Sequence, residues 1–117
     1  MKVLLDECVT KRLKFHLKDF EVYTVVEMGW SGFKNGKLLS QCVSKHFDIL
    51  LTIDKNMMFQ QNLEKYAVAI AVLNSKTSKL EELTLFIPSF LNQIYHLEKG
   101  KAYVIEKLFI NAQNNKN

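Results

Sequence analysis

From Ile49 to Ile53 the chain reads Ile-Leu-Leu-Thr-Ile, an apolar and β-favouring stretch that stops abruptly at Asp54. A continuous run of strand length belongs to a strand covered on both faces, as in a parallel sheet between helices. In open sheets of that kind the ligand crevice lies outside the carboxyl ends of the strands. Asp54 stands at that place. The amino terminus repeats the layout, with Lys2-Val-Leu-Leu5 running into Asp6-Glu7. Two apolar strands ending in acid predict a carboxylate cluster at one sheet edge, which most simply holds a divalent cation.

The rest of the chain alternates around these two strands. After strand one (Lys2 to Leu5), a helix is expected from about Thr10 to Lys18, capped by Thr10, with Leu13, Leu17 and Phe20 at core spacing. Glu21 to Val26 reads as strand two. Glu27 to Gly36 is a loop with three glycines that emerges at the same edge as Asp6. Its Trp30 is expected to plug the end of the core; stacking on a base is the functional alternative. A second helix runs from about Lys37 to Lys45, with Leu38, Leu39, Cys42 and Val43 inward. Asn56 to Tyr66 looks like a short helix, and Ala67 to Leu73 like a fourth buried strand. Ser78 with Glu81 forms a capping-box pattern at the head of a long helix, which Pro88 should kink or divide. Ala102 to Ile105 is a last, edge strand. The alternation predicts an α/β fold: a three-layer α/β/α sandwich with a mostly parallel five-stranded sheet. One domain is expected over residues 1–110, with Phe109 and Ile110 docked and a frayed polar tail over 111–117.

Composition removes several function classes. No apolar stretch approaches the roughly 20 residues of a membrane span, and Asp6 interrupts the amino terminus too early for a signal peptide. Cys8 and Cys42 lack metal-ligand spacing and read as reduced thiols of a cytoplasmic protein. His16, His46 and His96 are scattered and suggest no nucleophilic triad. A net charge of +4, nearly all from lysine, suits an RNA or DNA backbone, and equally an ordinary solvated surface.

Magnesium binds oxygen, keeps several waters and needs only one or two carboxylates plus a substrate phosphate. Asp6 and Asp54, on adjacent strands, would supply the carboxylates, and Glu7 a third oxygen unless it turns away. A cation there would activate water against a phosphodiester. The plainer alternative is that Asp6 caps the turn after strand one and Asp54 caps the helix at Asn56.

Three segments together resemble the small PIN-like proteins of bacteria. They are Leu4-Leu-Asp-Glu-Cys-Val9, the loop Glu27-Met-Gly-Trp-Ser-Gly-Phe-Lys-Asn-Gly36, and Leu50-Leu-Thr-Ile-Asp-Lys-Asn56 followed by Gln60-Gln-Asn62. The resemblance covers roughly residues 2 to 90. It implies a PIN-type sandwich, a Mg2+ or Mn2+ site, cleavage of RNA, and a small antitoxin as partner. Asp6, Glu7 and Asp54 correspond to that family's acids. Many relatives carry an acid at the start of helix two, where this chain has Asn35, Gly36 and Lys37. Asn35 then becomes a neutral metal ligand, with Lys34 and Lys55 as phosphate contacts and Asn56 positioning the site. A homodimer through the long helix is a further expectation.

Two rivals stand beside the nuclease. Loss of the acid at Asn35 suggests a degenerate PIN-like module that binds RNA or protein without cutting. A phosphorelay receiver domain would instead use Asp6-Glu7, Asp54 as phosphoacceptor, Ser75 and Lys107. Against it, no proline follows Met57-Met58, and the Trp30 loop has no receiver counterpart.

Overall fold

The structure is a computed structural model and describes residues 1–107. Five strands form a single sheet: β1 Lys2–Leu5, β2 Glu21–Thr24, β3 Ile49–Thr52, β4 Ala69–Leu73 and β5 Ala102–Ile105. Their order is β2-β1-β3-β4-β5, and every pairing is parallel. All residues of β3 and β4 are buried, as continuous apolar runs in a doubly covered sheet should be.

Alternate strand residues feed two cores. Val3, Leu5, Ile49, Leu51, Ala69 and Ala71 face Leu13, Leu17, Phe86 and Phe90 on one side. Leu4, Leu50, Ile70 and Val72 face Leu38, Leu39, Cys42, Phe47 and Met57 on the other. Trp30 belongs to this second core, 7% exposed, with its ring stacked on Phe33 and edge-on to Phe47. It plugs the core as expected.

Several connecting elements differ from the sequence-based expectation. The stretch expected as the first helix is a 3-10 turn, Lys11–His16, with Thr10 accepting from the Arg12 N–H. Strand two stops at Thr24, because Thr24 and Glu27 form a reciprocal capping box that opens a one-turn helix, α1 (Val25–Met28). Gly29 ends α1 in the left-handed conformation. Helix α2 spans Asn35–Ser44, so it begins two residues before the expected start, with Lys34 as its N-cap. The helix expected over Asn56 to Tyr66 is two short 3-10 turns, Lys55–Phe59 and Leu63–Lys65. Ile53 lies outside β3, and Ala67 and Val68 precede β4.

The long carboxyl-terminal helix is broken into α3 (Leu80–Leu83), a 3-10 turn, α4 (Ile87–Gln93) and a last 3-10 turn at Ile94–His96. Pro88 falls in the first turn of α4, where its missing N–H costs nothing, so it divides the helix as expected. The Ser78–Glu81 capping box does not form. Ser75 and Thr77 hold a local turn, the Lys79 N–H is spent on the Thr77 hydroxyl, and Lys79 becomes an N-cap without a side-chain bond. The expected docking of Phe109 and Ile110 and the tail over 111–117 lie outside the described residues.

Candidate functional site

The chain leaves β1 for β2 over one face and passes from β2 to β3 over the other. Between β1 and β3 the direction of winding reverses, and at such switch points open parallel sheets have their ligand crevice. The register pairs Leu5 with Leu51, and the Asp6 N–H continues the ladder to the Leu51 carbonyl at 2.9 Å. Asp6 therefore stands beside Thr52, and Asp54 lies two residues beyond.

Thr52 joins the two acids. Its hydroxyl donates to Asp6 Oδ2 at 2.7 Å and accepts the Asp54 N–H at 3.0 Å. It is fully buried, so these bonds form out of competition with water. Asp6 Oδ1 accepts the Glu7 N–H at 2.7 Å. Asp54 Oδ1 accepts the Asn56 N–H at 3.0 Å and caps the following 3-10 turn, so the capping role exists alongside any other. Asp6 Oδ1 and Asp54 Oδ1 can each accept a second bond, so both acids keep a lone pair for a ligand.

The remaining expected residues are distributed around this pair. Glu7 lines the same hollow as Asp6, and its Oε1 accepts the Gly32 N–H at 3.0 Å and anchors the glycine-rich loop. Gly32 has φ +81, a conformation that favours glycine. Asn35 donates its Nδ2 to Gln60 Oε1 at 3.1 Å, tying the head of α2 to the end of the Lys55–Phe59 turn and leaving its amide oxygen unengaged by that bond. Lys55 Nζ donates to the Ser75 carbonyl at 2.7 Å. Lys34 and Asn56 are exposed. Lys37 lays its amine 4.2 Å from the Phe33 ring centroid. Among the described residues, no three His, Cys, Asp or Glu side chains gather closely enough to hold a metal ion.

Reasoning from sequence assigns no role to Thr52 or Gln60, and reads Cys8, near the site, as a structural thiol. Thr52 had a signal: it is the polar interruption in an otherwise apolar strand, two residues before an acid. Cys8 is exposed, with Sγ 3.4 Å from Thr52 Oγ1 and 3.8 Å from Asp6 Oδ2. Partial burial of the Cys8 thiol, reinforced by the Asp6 charge, raises its pKa and keeps it protonated near neutrality. Its place two residues after the strand-end Asp6 announces that position.

Two adjoining hollows of about 450 and 430 Å3 open on the β2 side of Asp6. The first is lined by Asp6, Glu7, Thr24 and Glu27, and the second by Lys11, Arg12, Lys14 and Phe15.

The strand order matches that of doubly wound receiver-type sheets, but the chain course differs. The β3-to-β4 connection packs on the Leu38 side of the sheet, and the β4-to-β5 connection on the Leu13 side, although both move in the same direction. The last crossover therefore has the opposite hand to the other three, whereas a uniformly wound sheet would place it on the α2 face. Ser75 spends its hydroxyl on the Thr77 carbonyl, and Lys107 pairs with Glu82 at 2.6 Å. These features count against the receiver reading. Among the described residues no helix is long and apolar enough to cross a membrane. Comparison with protein-family models, curated proteins and solved structures gave no match for this chain.

Proposed function

We propose that the chain is a cytoplasmic PIN-like ribonuclease that cleaves RNA with Mg2+ or Mn2+ and acts as the toxin of a toxin–antitoxin pair. The observation that carries the reading is the pair Asp6 and Asp54 at the β1/β3 edge, joined through the buried Thr52 hydroxyl, which donates to the Asp6 carboxylate and accepts the Asp54 backbone N–H. The donor set fits a hard cation: two carboxylates, the Asn35 amide oxygen, and a neighbouring thiol kept protonated. A site of two carboxylates suits magnesium, which takes its other ligands from water and substrate phosphate. A cation held there supplies polarisation of a phosphodiester and a water that ionises near neutrality.

In this reading Asp6 and Asp54 hold the cation, and Glu7 fixes the loop over the edge through Gly32. Lys55 keeps two of its three N–H donors for phosphate after bonding to Ser75. Lys34 reaches phosphate from the head of α2, and Asn56 orients the Asp54 carboxylate through its backbone N–H. The antitoxin belongs to the proposal through the family resemblance. Leu85, Leu91 and Tyr95, exposed along the carboxyl-terminal helices, offer an apolar surface for a second copy.

The test is cleavage of a mixed RNA pool by the purified protein with Mg2+ or Mn2+, beside an Asp6→Asn/Asp54→Asn double variant. Metal-dependent cutting lost in the variant supports the reading, and equal cutting by both proteins refutes it. The neutral amide of Asn35 favours a second reading, a PIN-like module that binds without cutting. That protein would retain RNA or a partner protein and release no fragments with either metal.

A further inference from the structure

Phe15 lies at the heart of the Lys11–His16 turn, yet its side chain is 67% exposed, because Leu13 and Leu17 already fill the core beneath it. Its ring lines the 430 Å3 hollow and also a smaller one of about 260 Å3 on its other side, so it stands as a ridge between two depressions. Lys11 and Arg12 line the larger hollow beside it, and among the described residues neither has an ion-pair partner. Lys14 does have one: it pairs with Glu27 at 3.1 Å and bridges the turn to α1. The hollow beside Phe15 shares Lys11, Thr24 and Glu27 with the hollow that reaches Asp6, so the two form one continuous groove.

We infer that this groove is a track for a single-stranded polynucleotide, with the Phe15 ring as a base-stacking platform and Lys11 and Arg12 as phosphate contacts. The inference rests on the nuclease reading for its direction, since the track runs into the Asp6 edge. An exposed aromatic face beside two free cations meets the two needs of single-strand binding, a π surface for an unpaired base and charge for the backbone. A duplex hides its base faces and gains nothing from Phe15. Glu27, where the two hollows meet, is offset by Lys14; Glu7 and Asp6 at the far end repel phosphate until a cation neutralises them, so metal-free binding concentrates at the Phe15 end. This path differs from one over Lys34 and Lys55. Phe59, 80% exposed on the turn that follows Asp54, is the matched aromatic on that other side.

The test is fluorescence titration of the full chain with a labelled short oligouridylate in EDTA, where no cutting occurs. Phe15→Leu is expected to weaken binding by at least about fivefold, the lower end for a base–aromatic stack. Lys11→Gln/Arg12→Gln is expected to weaken it and to lower the salt dependence by about 0.7 of a log unit per log salt for each lost phosphate contact. Phe59→Leu leaves binding unchanged. Failure of the wild-type protein to bind, or a loss that follows Phe59→Leu or Lys34→Gln/Lys55→Gln but not Phe15→Leu, overturns the inference. Because cutting is scored separately, a track without cleavage and cleavage without this track are distinguishable outcomes.

Discussion

Thr52 concentrates most of the site's geometry in one hydroxyl. It donates to a carboxylate and accepts a backbone N–H, both at a position closed to water. Thr52→Val keeps the shape and removes the bridge. The Asp54 N–H then loses its acceptor, and the stability cost should be about 1–3 kcal/mol, measured by urea unfolding. RNA cleavage should fall at least tenfold, about what 1.4 kcal/mol of lost positioning amounts to. Wild-type stability with full cleavage would remove Thr52 from the account. The cysteines give a second residue-scale prediction. Burial raises the Cys8 thiol, and burial with the Asp6 charge pushes Cys42 up to about 12. Alkylation near neutral pH, followed by mass spectrometry, should label Cys8 more slowly than a free peptide thiol. Cys42 should be labelled only on unfolding, as its side chain is fully enclosed in the second core.

At the scale of elements, strands were far more legible than the segments between them. Buried runs such as Ile49–Thr52 and Ala69–Leu73 announce themselves because both faces must be apolar. Capping boxes depart from the sequence expectation twice, in opposite directions. Thr24-Val-Val-Glu27 looks like strand because valine favours it, yet the reciprocal Thr24–Glu27 bonds turn Val25 and Val26 into helix. Ser78 and Glu81 have the right spacing, but the helix begins one residue later, with Lys79 rather than Ser78 as its N-cap, so Glu81 does not stand at the third helical position. The Thr10–Lys18 stretch is too short for hydrophobic spacing to distinguish a 3-10 turn from an α-helix. Thr24→Ala should therefore cost about 0.5–2 kcal/mol in urea unfolding. Acid should act through the same box. The bond from the Thr24 N–H, aided by Lys14, holds the Glu27 carboxyl below its usual value of 4.5. Burial pushes Asp48 up, but the Lys2 N–H and the Lys99 amine together outweigh it and hold it below 3.8. Both groups bind fewer protons folded than unfolded. Their stabilisation is complete above those unfolded values and is lost as pH falls through the lower, folded ones. Urea midpoints should decline below pH 4.5, and less steeply in Glu27→Gln, whose residue 27 no longer titrates.

Across the whole molecule, a five-stranded parallel α/β sheet was readable from alternation alone, and it places Asp6 and Asp54 at one edge. The winding was not readable. Which face the last crossover takes depends on how α3 and α4 pack against the Leu13 side, a choice no local pattern encodes. The site was legible as two strand-end acids and illegible as a network, because Thr52, Gly32 and Gln60 act through contacts between distant segments. The two cores share one sheet, so unfolding should be a single cooperative transition. Phe90→Ala, in the first core, should lower that transition by about 3–5 kcal/mol without splitting it. The account turns on whether Asp6 and Asp54 share a cation. The most direct measurement is a Mn2+ titration followed by electron paramagnetic resonance in the wild-type, Asp6→Asn and Asp54→Asn proteins. One site that either substitution abolishes is the predicted result. Absence of that site from the wild-type protein, or its survival in both variants, would contradict the metal-dependent reading.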